Sequence, residues 1–203
     1  QAVALVIAAD RYIARDAADA IDVDYQTQDP VIDPYSALED TSPVIHEDLG
    51  YNAPMRLLYE DGDVEKAFSE SYHTVSQRYN VQRLAPCPME TRGVLAQHDA
   101  KTNVLTVWNS SQTPHTLRDQ LSTVLERHND TIRVISPDVG GGFGMKCHVF
   151  VEDVVIPALS KLTGRGVKWV GDRYEDLAAS CHAKNMIVDL ELATAEDGSF
   201  LGL

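Results

Sequence analysis

The chain has 203 residues, with 31 acidic against 17 basic side chains, a net charge of -14, and 44% hydrophobic residues. At roughly 150 residues per domain, this length admits one large or two small domains with enough apolar content for a packed core, which excludes a disordered chain. The acid excess, with no run of Lys and Arg, argues against gripping a phosphate backbone, and no apolar stretch approaches the ~20 residues of a membrane-spanning helix.

The first third reads as a small β-α-β piece. Ala2–Ala9 is apolar enough for a buried strand, Ala14–Ala20 for a short Ala-rich helix, and Ile21–Tyr25 alternates apolar with acidic residues as a half-exposed strand should. From Gln26 to Gly62 the pattern breaks, with Pro30, Pro34, Pro43 and Pro54 among scattered Asp and Glu. Only Asp33-Pro34, an N-cap followed by proline at the first helical position, predicts one short helix there.

Regular periodicity returns at Asp63. A helix at Val64–Phe68 leads to a strand over Tyr72–Val81, an irregular loop APCPMETRG, and a hairpin pairing Val94–Asp99 with Val104–Asn109 across the turn AKTN. Thr113-Pro114 then opens a helix with Leu117, Leu121, Val124, Leu125 and His128 on one face, His128 closing its last turn where a cation is favoured. A strand at Ile132–Ile135, a glycine loop DVGGGFGMK and a helix over Val149–Leu162 follow, with Pro157 expected to kink or interrupt that helix. Val167–Val170 (strand), Tyr174–Ala179 (helix) and Ile187–Ala193 (strand into the Asp197-Gly198 turn) complete a mixed α+β chain without repeats. Both ends fall in mid-element, the pattern expected of a piece of a longer polypeptide.

Cys87, Cys147 and Cys181 lie far apart with no C-x-x-C, so neither a disulfide framework nor a metal knuckle is encoded. Each is expected to be a small buried residue in a reducing, cytoplasmic setting. The seven histidines are dispersed, with no metal-ligand spacing.

Three segments could carry chemistry. Four glycines in five positions, Gly140, Gly141, Gly142 and Gly144, remove side chains where the backbone turns sharply or a ligand approaches, and successive N–H groups can then face an anion or oxo group. The loop matches neither a P-loop, since Met145 precedes Lys146 and Cys147 follows it, nor G-x-G-x-x-G. Read alone, it is either a structural turn or a generic ligand loop. In Ser110-Ser111-Gln112-Thr113-Pro114-His115, Gln112 can donate to and accept from a metal oxo group or substrate carbonyl, though the same segment also serves as a polar helix-capping turn. In Pro86-Cys87-Pro88-Met89-Glu90-Thr91-Arg92-Gly93, the prolines stiffen a loop whose Glu90 and Arg92 are expected to pair with each other.

The succession APCPMETRG, SSQTPH, IRVISPDVGGGFGMK and TGRGVKWVGDRYEDL resembles the molybdenum-binding large subunit of the xanthine dehydrogenase, aldehyde oxidoreductase and aerobic carbon monoxide dehydrogenase superfamily, over essentially the whole chain. The upstream DRYIARDAADAIDVDYQTQDPVIDP resembles the end of its α/β-hammerhead domain. The resemblance implies three parts: residues 1–35 as the end of the hammerhead, 36–62 as a linker, and 63–203 as the first part of a molybdopterin-binding domain of mixed strands and helices.

It further implies molybdenum held by molybdopterin, in its cytosine dinucleotide form, with Gly141, Gly142, Phe143 and Gly144 at the cofactor and Gln112 hydrogen-bonded to the molybdenum oxo group. The implied activity is water-derived hydroxylation of an aldehyde, N-heterocycle or CO-like substrate, with a glutamate base outside this chain and the isolated chain inactive. The implied partners are a FAD-binding medium subunit and a [2Fe-2S] small subunit, in a dimer of heterotrimers. Where purine-oxidising members carry an acidic residue after the loop lysine, this chain has Cys147, which argues against a purine; Cys181 does not take the role of the substrate-loop cysteine of carbon monoxide dehydrogenases. The competing expectation is a non-catalytic interaction or scaffold module.

Overall fold

A computed structural model describes residues 3–53 and 55–203, so Ala2 of the expected first strand and Pro54 of the polar connection lie outside the described residues. In chain order the elements are α1 (Arg11–Asp19), α2 (Val64–Ser69), β1 (His73–Val81), β2 (Gly93–Asp99), β3 (Val104–Asn109), α3 (Pro114–Val124), β4 (Ile132–Ile135), α4 (Val151–Thr163), β5 (Val167–Val170), α5 (Arg173–Ala179), β6 (Met186–Thr194) and β7 (Phe200–Gly202). They form two compact units, each drawn from distant parts of the chain: Gln1–Ala20 with Leu84–Ala183, and Ile21–Arg83 with Lys184–Leu203.

The first unit is a two-layer α/β arrangement. Its sheet has the order β4-β3-β2-β5, with β2 antiparallel to β3 and to β5, and β3 parallel to β4. Strand alternation puts Val94, Ala96, Leu105 and Val107 on one face, all buried, and α3 and α4 cover that face with Leu117, Leu121 and Ile156. Each fully buried Leu or Ile contributes about 1.5–3 kcal/mol relative to exposure. The hairpin turn is set by Asp99, whose carboxylate accepts the Lys101 N–H and the Thr102 hydroxyl, and Asn103 closes it at φ +56°.

Helix α4 runs unbroken through Pro157, which it keeps buried in the core at the cost of one backbone bond, and it ends at Gly164 in the left-handed region. Ser160, fully buried in α4, accepts the His98 N–H at 2.9 Å and donates to Arg165 O at 2.7 Å, stitching the helix to the end of β2. The Asp10 side chain caps α1 by accepting the Tyr12 and Ile13 N–H groups. Arg15 then pairs with Asp172, the N-cap of α5, at 3.2 Å.

The second unit is an antiparallel sheet, β1-β6-β7, in which His73 faces Thr194 and Val81 faces Met186. Most of β1 is exposed. Asp189 of β6 gathers Arg78 Nε at 2.5 Å and the Tyr35 hydroxyl at 2.8 Å. The expected short helix is a 3-10 turn, Ser36–Leu38, with the Asp33 carboxylate accepting the Ser36 N–H.

Several expectations are corrected. Among the described residues, 3–9 form no strand, and Val3, Leu5 and Ile7 are exposed; residues 21–25 form none either. Helix α3 stops at Val124, which is 59% exposed, so His128 does not close its last turn but precedes a separate 3-10 turn, Asn129–Thr131. Cys87 is exposed and Cys147 and Cys181 are half-buried: Cys87 and Cys181 sit in loop backbone and Cys147 ends a 3-10 turn, Met145–Cys147. Among the described residues no helix is long and apolar enough to cross a membrane.

Candidate functional site

Three loops of the first unit converge at the ends of β2, β3 and β4: residues 84–92 before β2, 110–113 between β3 and α3, and 136–150 between β4 and α4. Parallel pairing of β3 with β4 brings their ends together. The Ser136 hydroxyl reinforces this by donating to Ser111 O at 2.6 Å and Asn109 O at 3.1 Å.

The Gln segment and the glycine loop are in direct contact. Gln112 N–H donates to Lys146 O at 3.0 Å, and Thr113 Oγ1 donates to Cys147 O at 3.0 Å, so the segment lies along the exit of the loop. The Gln112 Oε1 accepts the Gly144 N–H at 3.1 Å. Since a backbone N–H can pair only with the oxygen of that side-chain amide, Nε2 is turned the other way, where it has no hydrogen-bond partner among the described residues. The Gly141 N–H is likewise used internally, on Val139 O, whereas the N–H groups of Gly142 and Phe143 make no hydrogen bond among the described residues.

The loop conformation requires its small residues. Gly141 has φ +99° and lies against the ring of Phe143 and Pro88, and Phe143 itself adopts φ +52° with its side chain 73% exposed. A Cβ on Gly142 would overlap the Gln112 side chain. Gln112 and Phe143 are exposed and Gly142 is buried, so the surface offers the neutral Nε2 donor of Gln112 beside an exposed aromatic ring. Among the described residues no three His, Cys, Asp or Glu side chains converge as metal ligands.

Glu90 and Arg92 do not pair with each other as expected: each side chain is taken by partners on other segments, Glu90 by Lys146 and Arg92 by Glu152 and Asp176. Glu90 turns to the glycine loop: its Oε2 accepts the Gly140 N–H at 2.8 Å, the Ser110 hydroxyl at 2.7 Å and Lys146 Nζ at 2.8 Å. Burial alone would raise the Glu90 pKa, but the hydrogen bonds from Lys146, Ser110 and Gly140 outweigh it and hold the carboxyl below its ordinary value.

Arg92 turns inward. Its side chain is 6% exposed, paired with Glu152 at 3.2 Å and Asp176 at 3.6 Å, with the guanidinium 3.9 Å from the Phe150 ring centroid. Arg173 adds a second anchor, donating to Asp176 and to the carbonyl oxygens of Pro88 and Met89. Nearby Asp153 accepts from Asn109 Nδ2 at 2.6 Å and from the Phe150 N–H, and burial raises its pKa despite those bonds.

Lys146 was legible in sequence only as a lysine whose neighbours Met145 and Cys147 break a P-loop match, yet its side chain is 1% exposed and holds Glu90. The available signal was a lone lysine between Met145 and Cys147, the single basic residue of a glycine-rich loop. Ser136 and Arg173 carried no such signal.

Comparison with known proteins gives the family of the chain. The molybdopterin cofactor-binding domain family matches residues 45–203. The chain is 39% identical to the carbon monoxide dehydrogenase large chain of Hydrogenophaga pseudoflava, covering 100% of this chain and 27% of that protein. It is also 39% identical to the nicotine 6-hydroxylase large subunit of Paenarthrobacter nicotinovorans, covering 99% and 24%. The crystal structure of quinoline 2-oxidoreductase from Pseudomonas putida 86 superposes with a TM-score of 0.84 at 34% identity, over 95% of this chain and 24% of that one. The chain thus spans about a quarter of the length of these relatives. It belongs to the molybdopterin cofactor-binding domain family, within the large subunits of the xanthine dehydrogenase and carbon monoxide dehydrogenase superfamily.

Proposed function

We propose that this chain is the part of a molybdenum hydroxylase large subunit that holds the reacting edge of a molybdopterin cofactor. One observation carries the reading. The Gln112 carbonyl is committed to Gly144, so its Nε2 is left as an outward donor beside the exposed Phe143, while the Gly142 and Phe143 N–H groups make no hydrogen bond among the described residues. Neutral N–H donors suit an oxo ligand and pterin oxygens, and their orientation is fixed before anything binds, so little reorganisation opposes binding. Gly141 and Gly144 shape the loop, and Phe143 offers its exposed ring to the pterin or the substrate.

Bound there, the cofactor supplies two-electron oxidation with water-derived oxygen. The carboxylate base is assigned to residues outside these 203, so the chain alone is expected to give no turnover of an aldehyde or hypoxanthine with a dye acceptor. A CO-like or N-heterocyclic substrate is favoured over a purine, since the relatives at 39% identity are named for carbon monoxide and nicotine, and Cys147 stands where a purine-specific acid would be. Under the same reading the cofactor is the cytosine dinucleotide form, FAD and [2Fe-2S] centres reside on partner subunits, and residues 1–35 complete a hammerhead domain. The test is molybdenum and pterin analysis of the full-length subunit purified with its partners. Near-stoichiometric metal in wild type and its loss in Gly142→Ala support the reading, and metal-free wild type refutes it.

A further inference from the structure

We infer that the half-exposed Glu90 and the buried Lys146 form a clamp that positions the glycine loop and Gln112 for the cofactor, an inference that rests on the reading above only for what the loop faces. Both ends of the loop close on one residue. At its entry, Gly140 and Glu90 bond reciprocally: Glu90 N–H donates to Gly140 O at 3.2 Å, and Gly140 N–H donates to Glu90 Oε2 at 2.8 Å. At its exit, Lys146 Nζ donates to Glu90 O at 2.9 Å and to Oε2 at 2.8 Å. Between these ties the chain passes through three positive-φ residues, Gly141, Phe143 and Gly144, a backbone that does not hold itself in place.

Gln112 is tied to the same clamp from behind. Its backbone N–H bonds to the carbonyl of Lys146, and Ser110, two residues upstream, donates its hydroxyl to Glu90 Oε2. A shift of Lys146 therefore moves the glycine loop and the Gln112 donor together. The lysine is 2% exposed, so no water replaces it on Glu90 from the Lys146 side. Its ammonium serves as a fixed strut, and neither Lys146 nor Glu90 touches the open donor surface: both are positioning residues.

The experiment compares full-length wild type, Lys146→Met, Glu90→Gln and the double variant, first without cofactor and then in the assembled complex. In the cofactor-free subunit, amide hydrogen exchange at Gly140–Gly144 is expected to speed up about tenfold or more in each single variant, with β2, β3 and α4 unchanged. The double variant is expected to be no worse than either single one, because both remove the same bond. In the complex reduced with dithionite, the Mo(V) electron paramagnetic resonance g-values of Lys146→Met are expected to shift at equal molybdenum content. Ser110→Ala, which keeps the ion pair, is expected to give a smaller exchange change and covers the case in which Lys146→Met does not fold. Unchanged loop exchange in Lys146→Met and Glu90→Gln overturns the clamp whatever the cofactor result. Metal-free wild type overturns the cofactor reading, while the exchange data still decide the clamp.

Discussion

The side chain of Gln112 occupies the space that a Cβ on Gly142 would need, while its Oε1 accepts the N–H of Gly144. Gly142 is not in the left-handed region, so what requires glycine there is the room Gln112 takes and not a backbone torsion. Gly142→Ala forces Gln112 aside, a crowding that costs about 1–3 kcal/mol if the amide stays and less if it swings out. The expected result for the full-length subunit is a modest fall in Tm by calorimetry together with most of the bound molybdenum lost. Gly142→Ala/Gln112→Ala relieves the overlap, so its Tm should recover while its molybdenum does not.

Gln112→Glu separates the two roles of that side chain. A carboxylate still accepts the Gly144 N–H, so the loop keeps its shape, but the outward donor becomes an acceptor carrying negative charge. Gln112→Ala loses both. Hydrogen exchange at Gly144 should be near wild type in Gln112→Glu and faster in Gln112→Ala, while molybdenum content should fall in both.

Glu90 gives the acid limb of stability a definite sign. Its carboxyl titrates below its ordinary value in the folded chain, so the stabilisation it brings is present above the unfolded value, about 4.3, and is lost as pH falls through the lower folded value. Asp153, raised by burial, acts in the opposite direction: its contribution is present at low pH and is lost as pH rises through its folded value. Urea unfolding of wild type and Glu90→Gln across pH 3–7 should show a shallower acid decline in the variant. Parallel curves would remove Glu90 from the account.

How much of this was legible depends on the distance over which each contact acts. The β2–β3 hairpin, the buried pair Leu117 and Leu121 and the Gly164 stop follow from local periodicity and turn residues, while the proximity of Gln112 to the glycine loop was implied by the family resemblance alone. The partners of Glu90 and Arg92 lie 20 to 84 residues away, on Ser110, Gly140, Lys146, Glu152 and Asp176, and spacing of two in a proline-rich loop says nothing about them. The apolar run at 3–9 shows why pattern alone over-predicts strands. Alternating or continuous apolar residues state that a segment favours cover, but a strand also needs a ladder partner, and none is present among the described residues. The early end of α3 has a similar cause: Glu126 takes φ +51° and turns the chain toward β4 before His128 can join the helical face.

Ser160 should be costly to lose despite its size. Fully buried, it satisfies the His98 N–H and the Arg165 carbonyl at once, joining α4, β2 and the approach to β5. Ser160→Ala removes both bonds, each of which contributes about 0.5–1.5 kcal/mol net. Denaturant unfolding should show a lower midpoint with an unchanged m-value, and molybdenum content per folded subunit should stay at the wild-type level.

Asp176 poses the sharpest stability question, because a fully buried carboxylate here answers two arginines. It accepts the Arg92 N–H at 3.1 Å and Arg173 Nη1 at 3.1 Å, and it lies 3.6 Å from Arg92 Nε. Asp176→Asn turns an acceptor into a donor facing guanidinium groups and leaves Arg92 with Glu152 as its remaining partner. Breaking one partner of a buried pair costs about 3–5 kcal/mol, whereas replacing the whole pair with apolar groups of similar volume is often near neutral. Asp176→Asn should therefore be strongly destabilising, and Arg92→Met/Asp176→Leu much less so than the sum of its single variants. Arg92 also stacks on Phe150, and a methionine retains apolar contact with that ring, which favours the double variant further. A double-mutant cycle by denaturant unfolding decides this. Additive losses would mean that the two residues act on the loop separately, and a large positive coupling would mean that they stabilise it as one buried unit.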